Sequence, residues 1–501
     1  MNDPLSLWYP IIVVLTLVCV GMLAYSQYVR TDSSLSRPIV QRVLLVGAVV
    51  GVFLVSIPYL LDLAWWILTT TTGGIDTAYV VLGSTTLVAI ALFVSKYTPY
   101  APTWIGSYWK PIVAVAVLSA VLLVVYAYIA TSGWLVMFTL FADDHRADHF
   151  QQMDQVFPAT DIDRGPAVWE LDRAEHSLPE TYQFDGETRS TDEFLERTET
   201  TGLLVIEGET IRHESYYQGY DEYSRATSWS VGKSVTSALV GIAIDEGHID
   251  DIDDPITKYV PELEGSGYTN VTIRDALTMS SGVAFDEEFE SATPDPVMLK
   301  ANAYGFNESM KTQLAAIEGD RQPGTEMEYV SVDTQALGLV IEGATGQPFT
   351  TYAEDRLWSR TGMEGDAFWN VDNTGTALAY CCLNAQLRDY GRFGMLYLND
   401  GAWNDEQIVP AEWVRESTVS QPPYEEAPDA AQGFGDYDYG YQWWVPGDST
   451  TEFEAHGVYG QYIHVNTEHD VVIVKTSTNP HYDVDYVETN AFFRSVVASL
   501  Q

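Results

Sequence analysis

Two side chains able to do covalent chemistry together stand three residues apart at Ser230-Val-Gly-Lys233. A serine hydroxyl is a weak nucleophile unless a base lies within hydrogen-bond reach. Lysine supplies that base when desolvation keeps its amine neutral. In SWSVGKSVTSALVGIAIDEGHIDDIDDPI the apolar spacing of Val235, Leu239, Ile242 and Ala243 predicts an amphipathic helix, and on a helix positions i and i+3 share a face. A start near Ser228 puts Ser230 in the first turn, where free backbone N–H groups and the positive dipole end favour a developing oxyanion. The same motif recurs at Ser107-Tyr-Trp-Lys110, directly before Pro111 and a long apolar run. There it reads as an interfacial anchor without chemistry.

The elements that must position Ser230 belong to the second of two differently composed parts. The 501-residue chain carries 70 acidic and 25 basic residues, a net charge of −45. That charge repels phosphate backbones, so no nucleic-acid partner is expected. Residues 1–142 hold only Arg30, Arg37, Arg42, Lys96 and Lys110 against Asp3, Asp32, Asp62 and Asp76. All of the excess acid therefore lies after residue 142. Such a surface stays hydrated at high salt, where screening suppresses its self-repulsion, and it implies a halophilic source. Lysine is scarce there, with Lys233, Lys258, Lys300, Lys311 and Lys475 alone.

Four apolar runs fill the front part, Leu5 to Tyr25, Val43 to Leu68, Ala78 to Val94 and Pro111 to Phe141. About 20 such residues span a bilayer, so residues 1–142 are expected to form a domain of about four transmembrane helices with lipid as partner. Asp62 lies beside Trp65 and Trp66, where an interface can hydrate it. Loops one and three carry the basic residues and the 69–77 loop has none. The bias puts those two loops inside and the acidic part outside the cytoplasm. Residues 143–195 read as a polar connector and 196–501 as the catalytic domain. No metal is expected at His145 and His149, four residues apart, for want of a third ligand.

Around Ser230 the chain resembles the serine β-lactamase and penicillin-recognising hydrolase superfamily, above all its class C and esterase-like branch, which includes 6-aminohexanoate-dimer hydrolases. Besides the Ser-x-x-Lys helix, the resemblance rests on DALTMSSGV at 275–283, PGTEMEYVSVDTQALGLVIE at 323–342 and HGVYGQYIHV at 456–465. Met279 stands where that family usually has histidine. Carried over by position, the resemblance implies Ser230 as the acylated nucleophile, Lys233 as its proton acceptor and Tyr329 as the motif phenol. It also implies Ser331 at the third position of the tyrosine motif, and an oxyanion hole of the Ser230 and Val458 backbone N–H groups. The third motif departs from Lys-Thr-Gly: Ala455-His456-Gly457 stands there. With no strong carboxylate anchor, esters or amides are favoured over penicillins. His456 and Gly457 are then expected beside the substrate.

Other segments have plainer readings. The acids of DEEFE at 286–290 read as solvated surface rather than a glycosidase pair. DYDYGYQWW at 436–444 reads as a strand, with Trp443 and Trp444 in the core and Tyr439 or Tyr441 able to touch substrate. Cys19, Cys381 and Cys382 are too few for a disulfide framework and read as buried thiols.

Strand patterns at Gly202–Ile206, Thr210–Tyr217, Tyr441–Val445, Gln461–Val465 and Val471–Thr476, with a helix from Val487 to Leu500, predict an α+β fold. Its antiparallel sheet is assembled from both ends of the domain, with helices on its faces and an inserted helical region. The expected activity is hydrolysis of a small-molecule ester, amide or peptide through an acyl-enzyme, with no cofactor. A β-lactamase or D-amino-acid peptidase is the nearest alternative. A catalytically silent ligand-binding or sensing membrane protein is the other.

Overall fold

The computed structural model describes residues 140–143, 145–287, 299, 302–304, 308–421 and 437–501. The chain divides into two units, Met1–Thr131 and Ser132–Gln501, and the described residues all lie in the second. The four predicted spans lie outside the described residues, save Leu140 and Phe141, which form a turn. Among the described residues no helix is long and apolar enough to cross a membrane.

An eight-stranded sheet organises the domain. Its strands in chain order are β1 (Asp172–Arg173), β2 (Thr200–Glu207), β3 (Thr210–Tyr216), β4 (Tyr437–Tyr439), β5 (Trp444–Pro446), β6 (Glu452–Gly457), β7 (Gln461–Asn466) and β8 (Val471–Ser477). They lie side by side as 4-5-6-7-8-2-3-1. All neighbours are antiparallel except β1 and β3. The last strand thus pairs directly with the first long one, Gly202 opposite Thr476. The predicted β2, β3, β7 and β8 agree with these bounds to within two residues. The predicted strand Tyr441–Val445 is broken instead, because Gln442 adopts a φ of 65°, where strand pairing cannot continue.

Side-chain alternation gives the sheet two apolar faces. Leu204, Ile206, Ile463, Val465, Val472 and Val474 join the main core. Helix α3 (Leu387–Leu398) packs on them. Its closeness requires glycine: a Cβ on Gly391 would lie 2.8 Å from Ile206 and Leu204, and one on Gly394 2.6 Å from Val472. On the opposite face Leu203, Val205, Tyr462, Val471 and Ile473 pack with Phe492, Phe493, Val496 and Val497 of the terminal helix α4 (Tyr486–Ser499). Burying each such large side chain contributes about 1.5–3 kcal/mol.

Two further helices carry the site residues, α1 (Val231–Asp245) and α2 (Ser331–Thr345), packed against each other at one side of the sheet. A four-stranded antiparallel sheet of Ala159–Ile162, Ala367–Asn370, Leu383–Gln386 and Arg225–Thr227 leads the chain into α1.

Candidate active site

The strand Arg225–Thr227 delivers the chain to a tight turn at Ser228–Ser230. Trp229 adopts a φ of 43°, costly for a bulky residue. Its indole is held by Phe150 at 5.1 Å and Tyr459 at 5.8 Å between ring centroids. Helix α1 begins one residue after Ser230, which is the N-cap. The helix thus starts three residues later than the expected Ser228, because Trp229 is outside the helical region. Ser230 nevertheless stands at the helix end where unpaired N–H groups collect. Gly232 permits the approach of the neighbouring chain, since a Cβ there would meet the Cys381 carbonyl at 3.3 Å.

One turn on, Lys233 is 1 % exposed. Its Nζ lies 3.0 Å from Ser230 Oγ, 3.0 Å from Ser331 Oγ and 3.2 Å from the Tyr380 carbonyl oxygen. Tyr329 stands two residues before α2. Its ring centre is 5.0 Å from Lys233 Nζ, and its phenol hydrogen-bonds the Ser230 side chain. Trp444 stacks on that ring at 5.5 Å and Tyr439 meets it edge-on at 6.1 Å. Burial raises the Tyr329 pKa well above the ordinary phenol value, opposed by the Ser230 hydrogen bond. The phenol is therefore protonated at neutral pH and suited to donate.

Structure thus brings Ser230, Lys233, Tyr329 and Ser331 together. Gly457, at the end of β6, lies against the turn, and a Cβ on it would sit 2.7 Å from the Ser228 carbonyl oxygen. Val458 follows at the head of the 457–460 turn, which Gly460 closes with a φ of 83°. Among the described residues, neither the Ser230 nor the Val458 N–H donates to a backbone carbonyl.

Two expected substrate contacts are not at the site. His456 alternates to the α4 face of the sheet, where Trp444 and Tyr486 stack on its ring at 5.6 and 5.3 Å. Its Nε2 lies 2.5 Å from Glu454 Oε2, and His464 Nδ1 is 2.7 Å from Oε1. Burial alone would raise the Glu454 carboxyl, but these imidazoles outweigh it and hold it well below the usual carboxylate range. His456 therefore anchors a buried carboxylate behind the site. Tyr441, 1 % exposed, packs on Trp413 at 5.3 Å and accepts a 2.6 Å hydrogen bond from Arg274. The break at Gln442 directs it into the core.

Two readings of other residues also change. Glu287, in the segment read as solvated surface, accepts from the Ser331 N–H at 2.9 Å and from Ser331 Oγ at 2.6 Å. Cys381 and Cys382 are joined to each other by a disulfide rather than being free thiols, at a sharp bend where Cys382 has a φ of 73°. Tyr380, next to them, contributes its backbone carbonyl and a ring centred 5.5 Å from Lys233 Nζ, for which no sequence motif exists. His145 and His149 bring their rings to 5.6 Å, and among the described residues no group of three potential ligands could hold a metal ion.

The arrangement of hydroxyl, buried amine and protonated phenol is one that can acylate and deacylate a serine. A family model described as Beta-lactamase matches residues 188–498. The 6-aminohexanoate-dimer hydrolase of Paenarthrobacter ureafaciens is 30 % identical over 298 residues, 58 % of this chain and 75 % of that protein. A Bacillus anthracis structure described as a 6-aminohexanoate-dimer hydrolase covers 72 % of this chain and 96 % of its own, with 23 % identity and a TM-score of 0.66. A hydrolase with promiscuous acyltransferase activity has a TM-score of 0.50 at 13 % identity, over 61 % of this chain and 96 % of its own, and shares the fold. The chain belongs to the beta-lactamase family, and it is an enzyme of the serine hydrolase class.

Proposed function

We propose that this chain is a membrane-anchored hydrolase that cleaves an ester or amide bond of a small molecule through an acyl-enzyme on Ser230. The observation that carries this reading is the position of Lys233 Nζ, 3.0 Å from Ser230 Oγ in a buried setting. Neutral Lys233 takes the Ser230 proton as Oγ attacks the substrate carbonyl carbon. Negative charge forms on the carbonyl oxygen, where the N–H groups of Ser230 and Val458 receive it. The tetrahedral adduct collapses by breaking the bond to the leaving amine or alcohol. Tyr329 gives that group its proton and is reprotonated from the Lys233 ammonium. Water then attacks the acyl carbon, losing its proton to the same pair, and Ser230 leaves with a proton restored.

The Paenarthrobacter relative is named for a linear amide, the 6-aminohexanoate dimer. An amide or ester of comparable size suits this chain better than a penicillin, because Ala455-His456-Gly457 offers no exposed cation for a β-lactam carboxylate. Nitrocefin turnover would reverse that preference. The four apolar runs and the positions of Arg30, Arg37, Arg42, Lys96 and Lys110 support a domain held outside the cytoplasm. The acidic balance supports work at high salt.

A membrane-impermeant fluorophosphonate applied to intact cells tests both parts. Labelling is expected on wild type and not on Ser230→Ala. Labelling only after lysis would place the domain inside, and ester turnover by Ser230→Ala would remove the mechanism.

A further inference from the structure

Glu287 reaches into the site although the mechanism above does not use it. Its two oxygens take the N–H and the hydroxyl of Ser331, the first residue of α2, at 2.9 and 2.6 Å. An ionised carboxylate only accepts hydrogen bonds, and a serine has a single hydroxyl proton. That proton is committed to Glu287. The contact between Lys233 Nζ and Ser331 Oγ at 3.0 Å must then have the amine as donor.

The Tyr380 carbonyl, 3.2 Å from the same nitrogen, is likewise an acceptor. A neutral amine has two hydrogens and one lone pair. With the hydrogens directed at Ser331 and Tyr380, the remaining direction faces Ser230 Oγ at 3.0 Å. We propose that Glu287 is a positioning residue, which fixes the polarity of the Ser331 hydroxyl so that the lone pair of Lys233 is aimed at the nucleophile. Without the carboxylate, Ser331 can donate to Lys233 and occupy the electron pair that must take the Ser230 proton. This inference rests on Ser230 and Lys233 acting as nucleophile and base.

The test is the rate of fluorophosphonate labelling of the full-length protein, resolved into reagent binding and inactivation steps. Glu287→Gln is nearly isosteric and still has an oxygen for the Ser331 N–H, but its amide nitrogen donates to Ser331 Oγ and reverses the hydroxyl. It is expected to slow inactivation about 10- to 100-fold with reagent binding unchanged. Glu287→Asp, which keeps an acceptor-only head group, is expected to recover part of that loss. The decisive comparison is the pair with Ser331→Ala. Once the hydroxyl is gone it cannot be misdirected, so Glu287→Gln is expected to cost less than about twofold in that background. Equal costs in both backgrounds, a wild-type rate in Glu287→Gln, or a loss confined to reagent binding would each overturn the proposal. Should Glu287→Gln fail to fold by circular dichroism, Glu287→Asp and its pair with Ser331→Ala give the same comparison. Labelling that persists in Ser230→Ala would instead defeat the underlying mechanism, and is read separately.

Discussion

Lys233 and Lys475 are both 1 % exposed, yet they inhabit opposite kinds of surroundings. Lys233 sits among three oxygens, those of Ser230, Ser331 and the Tyr380 carbonyl. Lys475, on the α4 side of β8, has its amine 5.9 Å from the centre of the Phe194 ring. Desolvation brings its pKa down to about 7, with the Asp485 carboxylate opposing and Arg197 adding to the fall. Burial by itself therefore brings an amine to the point where it loses its proton near neutral pH. To make a base, the lone pair must also be pointed at a particular proton, and in the proposed mechanism the oxygens around Lys233 supply that direction.

The contrast breaks if either lysine behaves like the other. Lys233→Ala is expected to lower the fluorophosphonate labelling rate on the order of 10⁴–10⁶-fold, the range for removal of a partner of a catalytic serine. Lys475→Met is expected to leave that rate within about twofold and to act on stability instead. The folded pKa of about 7 lies below the ordinary 10.5, so the unfolded chain binds the extra proton between those values. Stability therefore rises as pH climbs from about 7 toward 10.5, and the penalty is full below 7. Denaturant melts should show Lys475→Met more stable than wild type at pH 7, by on the order of a few kcal/mol, with the gap narrowing at pH 9. A lost labelling rate in Lys475→Met would instead make it a second working amine. The smallest effect is expected at Tyr441→Phe, which removes the hydrogen bond from Arg274. About 1 kcal/mol of stability should go, measured by the same melts, without change in labelling. A loss of labelling there would return Tyr441 to the substrate's vicinity.

Legibility in the sequence followed from how local each relation is. Ser230 and Lys233 are one helical turn apart, so their contact could be read from spacing alone. Tyr329 and Ser331 came from a motif with its own following helix. Strand alternation, applied strictly, would have sent His456 to the same face as Glu454 and away from Gly457's neighbours. The motif alignment hid that parity. Glu287 belongs to an irregular segment, where no period ties a side chain to a direction, and among many acids it carried no distinguishing mark. Tyr380 acts through its backbone, which composition cannot show. The strand predicted from Tyr441 failed at one residue, Gln442, whose left-handed backbone no apolar pattern announces.

The pairing of Thr200–Glu207 with Val471–Ser477 has a consequence in time. The ribosome adds about 5–20 residues per second, so roughly ten seconds to a minute separates synthesis of the two partners. For that interval Leu204 and Ile206 wait with an open strand edge, and the turn bearing Ser230 has only the Thr200–Tyr216 hairpin of the sheet beside it. Completion of the sheet beneath Ser230 is thereby deferred until Val471–Ser477 has been made, long after the serine itself.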